Sequence, residues 1–210
     1  MTKFFGGVAL AALFAAPAMA QDAPADGEYE IVDTARDGLR IEGRAMFESI
    51  SDPEEELDIV YELGQAVSFG GEVGYDIAVS DNVTVGPFVT YEKSGVESCS
   101  DGDAFCVRAN DFLAIGAQVG FGGLTSQFYA KAAYTRLSVE AEGVIDDGFG
   151  QPFAVDEEVT GDGFQIAVGY EFGFGDNLYG RAEVAAGENY DIFDLDFQRV
   201  TAGVALGARF

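Results

Sequence analysis

Several residue types are missing or scarce in this chain. Its 210 residues include no histidine, no tryptophan and two cysteines, and 11 basic residues stand against 37 acidic ones. Without histidine the chain lacks the usual proton carrier of hydrolases and acyltransferases, so we predict no enzyme activity and no catalytic residue. The excess of acids excludes nucleic acid as an expected partner, because binding to phosphates requires basic side chains.

Long uncharged apolar segments are also missing after residue 20. A membrane-spanning helix needs about 20 consecutive apolar residues. No uncharged run of that length follows the N-terminal segment. Because backbone polar groups must be satisfied within a bilayer, a membrane-bound form of this chain would have to be a closed β-barrel.

The N-terminal segment has the layout of a cleavable secretory signal. A short basic start leads into an apolar stretch from Phe4 to Ala16, and the small residues of Ala18-Met19-Ala20 follow. The apolar stretch is short for a membrane helix. We therefore predict that residues 1–20 are removed during export.

The rest of the chain divides into a short acidic segment and one long domain. Residues 21–37 carry acids without any periodicity, which predicts a flexible periplasmic lead-in. Residues 38–210 have the length of a single domain, and their sequence alternates at every second position. Leu39 and Ile41, for example, are separated by Arg40.

This period of two predicts β-strands with one apolar and one polar face. It occurs in eight segments, at residues 39–48, 67–79, 83–92, 113–121, 128–134, 164–172, 178–184 and 200–210. Tight connections at 80–82, 122–126 and 173–177 alternate with long acidic ones near 49–64, 93–110, 140–162 and 187–196. Outer-membrane barrels have this asymmetry, with short periplasmic turns and long extracellular loops. We predict an all-β, eight-stranded antiparallel up-and-down transmembrane barrel.

Alternation alone would also fit a soluble secreted barrel with an apolar interior. The glycines favour the membrane form, because glycine has poor strand propensity on a solvated face but makes room inside a narrow bore. Glycines share the charged face at positions 74, 86, 116, 120, 169, 203 and 207. We therefore expect the apolar face to contact lipid and the charged face to point inward.

Charges of both signs lie on this inward face. Its predicted members are Arg40, Glu42, Arg44, Glu72, Asp76, Glu92, Lys131, Glu171, Arg181, Glu183 and Arg209. Buried ions are costly unless they are paired and hydrogen-bonded, which favours an interlocked network that fills the lumen. A gated ion path through the same network is the alternative.

The two cysteines, Cys99 and Cys106, lie in the second long loop. Export exposes them to an oxidising compartment, so we predict a disulfide. A zinc site would need further ligands, and no histidine is available. The acidic clusters of the loops do not match the spacing of a calcium-binding loop. We therefore predict neither a metal site nor a cofactor.

The chain resembles the OmpA/OmpX-type barrels, and within them the opacity-protein-like outer membrane protein beta-barrel domain proteins. The resemblance covers residues from about 38 to 210. It rests on the loop cysteines and on four further motifs, Gly38-Leu39-Arg40-Ile41-Glu42-Gly43-Arg44, Gly71-Glu72-Val73-Gly74-Tyr75-Asp76, Phe128-Tyr129-Ala130-Lys131-Ala132-Ala133-Tyr134 and the terminal Phe210.

The resemblance implies a location in the outer membrane of a Gram-negative bacterium, among its lipids and lipopolysaccharide. It implies handling by periplasmic chaperones and insertion by the β-barrel assembly machinery, which reads a last strand such as that with Val204, Leu206 and Phe210. We expect a monomer with a closed lumen and a structural or surface-interaction role through its loops. The alternatives are a narrow solute or ion pore and a soluble periplasmic ligand-binding barrel.

Overall fold

The described part of the chain consists of antiparallel β-strands. A computed structural model describes residues 37–54, 59–100, 105–123, 125–146, 152–174 and 177–210. The predicted signal segment and all but the last residue of the lead-in lie outside these ranges. Within them, no helix has the length and apolar character needed to cross a membrane.

Nine strands occur in these residues. They are β1 (Gly38–Glu54), β2 (Ile59–Ser80), β3 (Val83–Lys93), β4 (Glu97–Cys99), β5 (Phe105–Gly122), β6 (Ser126–Asp146), β7 (Pro152–Gly173), β8 (Leu178–Ile192) and β9 (Leu195–Arg209). Eight of them form a ring in the order β1-β2-β3-β5-β6-β7-β8-β9, and the short β4 pairs with β5 above the ring.

Two pairs of neighbouring strands in the ring are not joined by a β-hairpin, and both pairs are hydrogen-bonded, so the ring is closed. β3 pairs with β5 from Val83↔Phe121 to Lys93↔Asp111, and β9 pairs with β1 from Arg40↔Arg209 to Ser51↔Gln198. At the end of this second pairing, the Phe210 backbone N–H donates to the Leu39 carbonyl at 2.9 Å. Closure removes the free edges that hydrocarbon would not tolerate. The predicted eight-stranded antiparallel barrel is confirmed.

The predicted faces of the strands are confirmed as well. On β7, Ile166 points outward with 53% of its surface exposed, and on the neighbouring β8, Arg181 points into the bore with 1% exposed. Phe164 and Val168 are exposed like Ile166, and Glu183 is buried like Arg181. The apolar outer face is therefore available to lipid along this part of the ring.

The strands are longer than the sequence periodicity predicted. β2 and β7 each have 22 residues and β6 has 21, so large parts of the predicted loops at 49–64, 93–110, 140–162 and 187–196 are strand. On β6, the inward residues change from Lys131 to Leu137 and Val139, while the outward residues become Ser138 and Glu140. The period of two continues, but its polarity reverses. A prediction that follows only the outward-facing apolar residues therefore misses the extracellular part of the long strands.

This reversal creates an apolar core inside the long-hairpin end of the barrel. Its buried members are Ile50, Leu63, Phe88, Val96, Ala109, Phe112, Ala114, Leu137, Val139, Ile192 and Phe197. Their packing follows the ordinary hydrophobic effect, because the outer surface at this level is polar and faces water. The barrel thus has a charged interior at one level and an apolar interior at another.

Two inward glycines leave space for tyrosine rings that cross the bore. A Cβ atom at Gly169 would collide with the Tyr129 ring and hydroxyl, and one at Gly207 would collide with those of Tyr179. The Tyr129 hydroxyl donates to Glu183 at 3.0 Å. These glycines therefore allow aromatic side chains to join the charged network.

We expect purified barrel to migrate differently in electrophoresis before and after boiling. Its closed ring of interstrand hydrogen bonds resists detergent in the cold and opens on heating. Densitometry of unboiled and boiled samples provides the measurement. Identical mobility in both lanes would contradict the closed ring.

The substitution Gly169→Ala should lower the free energy of unfolding by about 1–3 kcal/mol, because the added methyl group overpacks the site occupied by Tyr129. Urea unfolding of the refolded barrel, followed by tyrosine fluorescence, measures this. Gly43→Ala is the matched control, since nothing lies within 4 Å of a Cβ atom there. Equal stability of the two variants would show that the glycine does not make room for the ring.

Candidate functional site

The candidate site is the ion-pair network inside the bore. Inward residues at alternate positions of β1, such as Arg40, Glu42 and Arg44, face the inward residues of both neighbouring strands. All eleven predicted lumen residues are buried. The structure also brings them together, with ion pairs that cross the bore between strands that are not neighbours.

Glu72 on β2 lies at the centre of this network. Its carboxylate is 3.1 Å from an Arg40 nitrogen, 3.0 Å from an Arg44 nitrogen, 2.7 Å from Lys131 Nζ and 3.5 Å from an Arg181 nitrogen. The four basic residues come from β1, β6 and β8. Glu72 therefore connects strands from opposite sides of the ring.

A second acid, Glu183 on β8, repeats this bridging. It lies 2.6 Å from Arg44 Nη2 and 2.7 Å from Lys131 Nζ. Both cations are shared with Glu72. The shared cations join β1, β2, β6 and β8 into one network.

The short-turn end of the bore has its own group of ion pairs. Asp76 lies 2.9 Å from Arg40 Nε and 2.8 Å from Arg209 Nη2. Glu171 lies 2.7 Å from Arg181 Nη2 and 3.1 Å from Arg209 Nη2. Arg209, the last strand residue, is thereby tied to both β2 and β7.

Sequence reasoning missed two members of the network, Glu48 and Arg199. Arg199 Nε lies 2.8 Å from Glu48, and Arg199 Nη2 lies 2.6 Å from Glu92. Both residues have the inward parity of their strands, and Arg199 precedes Thr201 by two positions. Extending the period of two by one step on β9 would have found Arg199.

The ion-paired charges of the bore are nearly balanced. Six basic side chains (Arg40, Arg44, Lys131, Arg181, Arg199 and Arg209) are paired with seven acidic ones (Glu42, Glu48, Glu72, Asp76, Glu92, Glu171 and Glu183). Such pairing offsets the cost of removing ions from water. A selectivity filter built from charged side chains would instead have a ring of one sign.

Little space remains between these side chains. The cavity beside Arg44, Glu72 and Lys131 has a volume of about 10 Å³, which holds roughly one water molecule. Above it, Arg199 stacks on the Phe112 ring at 3.9 Å from its centroid. Cation–π contacts of this kind join the charged level to the apolar core.

The segment between β3 and β4 folds over the bore at the long-hairpin end. Glu48 accepts hydrogen bonds from the Ser94 hydroxyl at 2.5 Å and from the Gly95 N–H at 3.3 Å. Val96 follows and is buried in the apolar core. This segment therefore adds to the filling of the bore.

A disulfide joins Cys99 on β4 to Cys106 on β5, as predicted. Together with Glu97 these sulfurs form a group of metal-ligand type within the described residues. Their thiols are consumed by the disulfide, so they cannot act as thiolate ligands. Glu97 instead accepts a hydrogen bond from Arg108 at 2.7 Å, which raises the pKa of Arg108 above its usual value.

Comparison with protein families gives a match over nearly the whole chain. The family model described as "Outer membrane protein beta-barrel domain" matches residues 6–210. The chain belongs to this family. It is an outer-membrane β-barrel protein of a Gram-negative bacterium.

Solved structures similar to this outer-membrane barrel have the same fold. Ail, the attachment invasion locus protein of Yersinia pestis, in complex with the heparin analogue sucrose octasulfate, is 12% identical and has a TM-score of 0.51. The match covers 81% of this chain and 99% of Ail. Neisserial surface protein A is 13% identical with a TM-score of 0.52, over 82% of this chain and 97% of that one. No curated protein sequence matches the chain.

The family sets the orientation of this barrel in the membrane. Outer-membrane barrels have short turns in the periplasm and long connections outside. The charged level of the bore therefore lies within the membrane, and the apolar core and the β3–β4 segment lie toward the extracellular end.

Replacing the central carboxylate should destabilise the barrel strongly. Glu72→Gln leaves four buried cations around a neutral amide, and breaking a buried ion pair from one side costs about 3–5 kcal/mol. Urea unfolding of the refolded barrel measures the loss.

The matched control is Asp111→Asn, which removes the exposed partner of Lys93. An exposed ion pair contributes little, so we expect no measurable change. A Glu72→Gln variant as stable as the control would show that the network does not hold the barrel together.

Proposed function

We propose that this protein is a closed outer-membrane barrel with a structural or surface-interaction role, carried by its extracellular hairpins. The observation that carries the proposal is the filling of the bore by paired charges, with a cavity of about 10 Å³ among them. A pore would need a continuous aqueous path, and an eight-stranded ring has an interior just wide enough for side chains.

Three layers support a closed lumen. The ion pairs around Glu72 occupy the membrane level, Phe88 and Phe112 lie above them, and Val96 belongs to the apolar core beyond. Water and ions would have to displace all three layers in order to pass. Each layer also holds strands of the ring together, so opening would disturb the fold.

We infer further that the protein is not an enzyme. The sequence has no histidine, and the carboxylates of the bore network form ion pairs with arginine or lysine and not with another carboxyl group. An acid–base pair of carboxylates needs one member that can hold a proton near neutral pH.

The route to the membrane is proposed from the sequence. Residues 1–20 would be cleaved on export, residues 21–37 would form the periplasmic lead-in, and residues 38–210 would be inserted as the barrel domain. Val204, Leu206 and Phe210 point outward on the last strand and its end, where periplasmic chaperones and the assembly machinery could reach them. We propose a monomer whose apolar belt contacts membrane lipid and lipopolysaccharide.

Planar bilayer recordings test the closed lumen. We expect the purified protein to insert without steady single-channel openings, because its bore is filled. Steady openings of one conductance level in the wild-type protein would contradict the proposal and favour a narrow pore.

A lumen variant provides the positive control for these recordings. The substitutions Glu72→Ala, Lys131→Ala, Arg181→Ala, Phe88→Ala, Phe112→Ala and Val96→Ala together truncate side chains in all three layers of the bore. If the variant retains the electrophoretic shift on boiling, it is still a closed ring. We then expect it to conduct, which shows that the assay detects an opened bore.

A further inference from the structure

The strands of the extracellular end do not all reach the same height. β6 and β7 stay paired up to Asp146↔Pro152, whereas the pairing of β7 with β8 ends at Gly163↔Asn189. Near this end, Gly161 still lies against Tyr190 and Ile192 of β8. Residues 152–160 of β7 pair with β6 on one side and with no described strand on the other. We call this nine-residue stretch the β7 edge.

An unpaired edge offers backbone N–H and C=O groups to another strand. Within a closed barrel such an edge can exist only outside the membrane, in water. The β7 edge is the outer border of a sheet that continues through β6 and β5 to β4 above the ring. At the other border, the disulfide between Cys99 and Cys106 ties the short β4 to β5.

The outward face of the β7 edge carries negative charge that no ion pair of the described residues neutralises, although Lys93 on β3 exerts a longer-range attraction on Glu158. Asp156 lies directly opposite Glu142 on β6, and Glu158 lies directly opposite Glu140. Like charges in directly opposed positions destabilise a sheet. Arg108 pairs with Glu142 at 3.2 Å, but no basic side chain of the described residues lies within ion-pair distance of Asp156 or Glu158.

The inward face of the β7 edge carries Glu157 between Val155 and Val159, is otherwise apolar, and is incompletely covered. Phe153 has 51% of its surface exposed, and Val155 and Val159 are half-buried. Val159 packs against the apolar core of the barrel. No described strand covers these residues from the side of β8. One further strand in that position would bury their remaining surface.

We propose that the β7 edge binds an extended polypeptide segment in which basic and apolar residues alternate. The segment would pair its backbone with residues 152–160. Its basic side chains would lie beside Asp156 and Glu158, and its apolar side chains would cover Val155 and Val159. This inference rests on the proposed surface-interaction role and names the surface and the chemistry of its partner.

A second copy of the chain fits this edge poorly. Antiparallel pairing of two β7 edges would bring the acidic triplets Asp156-Glu157-Glu158 of both copies together, and the chain already has a net charge of −26. Repulsion between like charges in opposed strands disfavours this pairing. A cationic segment turns the same charges into attraction and speeds association.

A binding experiment on the whole barrel tests the proposal. The probe is a capped ten-residue peptide that alternates lysine and valine, added to barrel purified from outer membranes in zwitterionic detergent. Fluorescence anisotropy measures its affinity at low and high salt. We expect salt-sensitive binding, together with slower hydrogen exchange at the backbone amides of residues 153–160.

Two peptide controls separate strand pairing from charge attraction. A peptide with the same sequence but N-methylated on every backbone amide keeps its charge and can donate no backbone hydrogen bond along either edge. We expect its affinity to fall at least about tenfold, as for the loss of a set of backbone hydrogen bonds. A glutamate–valine peptide should not bind. Equal binding of the N-methylated peptide would overturn the proposal.

Matched variants of the barrel locate the site. The double substitution Asp156→Asn and Glu158→Gln should weaken binding about fivefold to tenfold at low salt, as for two lost exposed ion pairs. The substitution pair Glu140→Gln and Glu142→Gln removes the same charge one strand away, and should weaken binding less than about threefold. Equal losses in both variants, or dimerisation of the barrel without peptide, would overturn the proposal.

The recordings in planar bilayers keep the two proposals distinguishable. A silent barrel that does not bind the peptide would contradict only the inference about the β7 edge. A conducting barrel that binds the peptide at this edge would contradict only the closed lumen.

Discussion

The structure depends on how narrow an eight-stranded ring is. Such a ring leaves a bore that side chains can fill completely, so each inward residue must fit against residues from the opposite wall. Arg44 and Lys131 do this by sharing the carboxylates of Glu72 and Glu183. In a wider barrel these side chains would contact water instead. Here they pair across the bore and hold distant strands together.

The reversal of polarity along the strands follows from the two solvents of the barrel. Within the membrane the outer face must be apolar, and the bore receives the charged residues. Outside the membrane the outer face must be polar, and the apolar residues turn inward, as Leu137 and Val139 do on β6. One continuous strand therefore has two opposite patterns. The two levels meet where Arg199 lies on the ring of Phe112.

Backbone pairing of the strands differs between the membrane level and the extracellular level of the barrel. In the membrane every strand of the ring has two neighbours, because an unpaired backbone group in hydrocarbon is costly. Above the membrane, water can satisfy such groups, and β7 extends beyond β8 with one side that no described strand pairs with. Residues of the extracellular strands can therefore contact a partner without weakening the ring in the membrane. The acidic residues at this edge also protect it from pairing with another copy of the chain.

The sequence by itself determined the number of strands in the ring, their antiparallel order and the face of each ring strand, because a period of two fixes which side chains share a side. It also placed eleven charged residues in the bore and paired Cys99 with Cys106. The tertiary structure alone decided which charges meet, since the contacts of Glu72 depend on strand register and on the diameter of the ring. It also decided how far the strands extend and where an edge stays open, because polarity reverses with the solvent outside while the period stays the same.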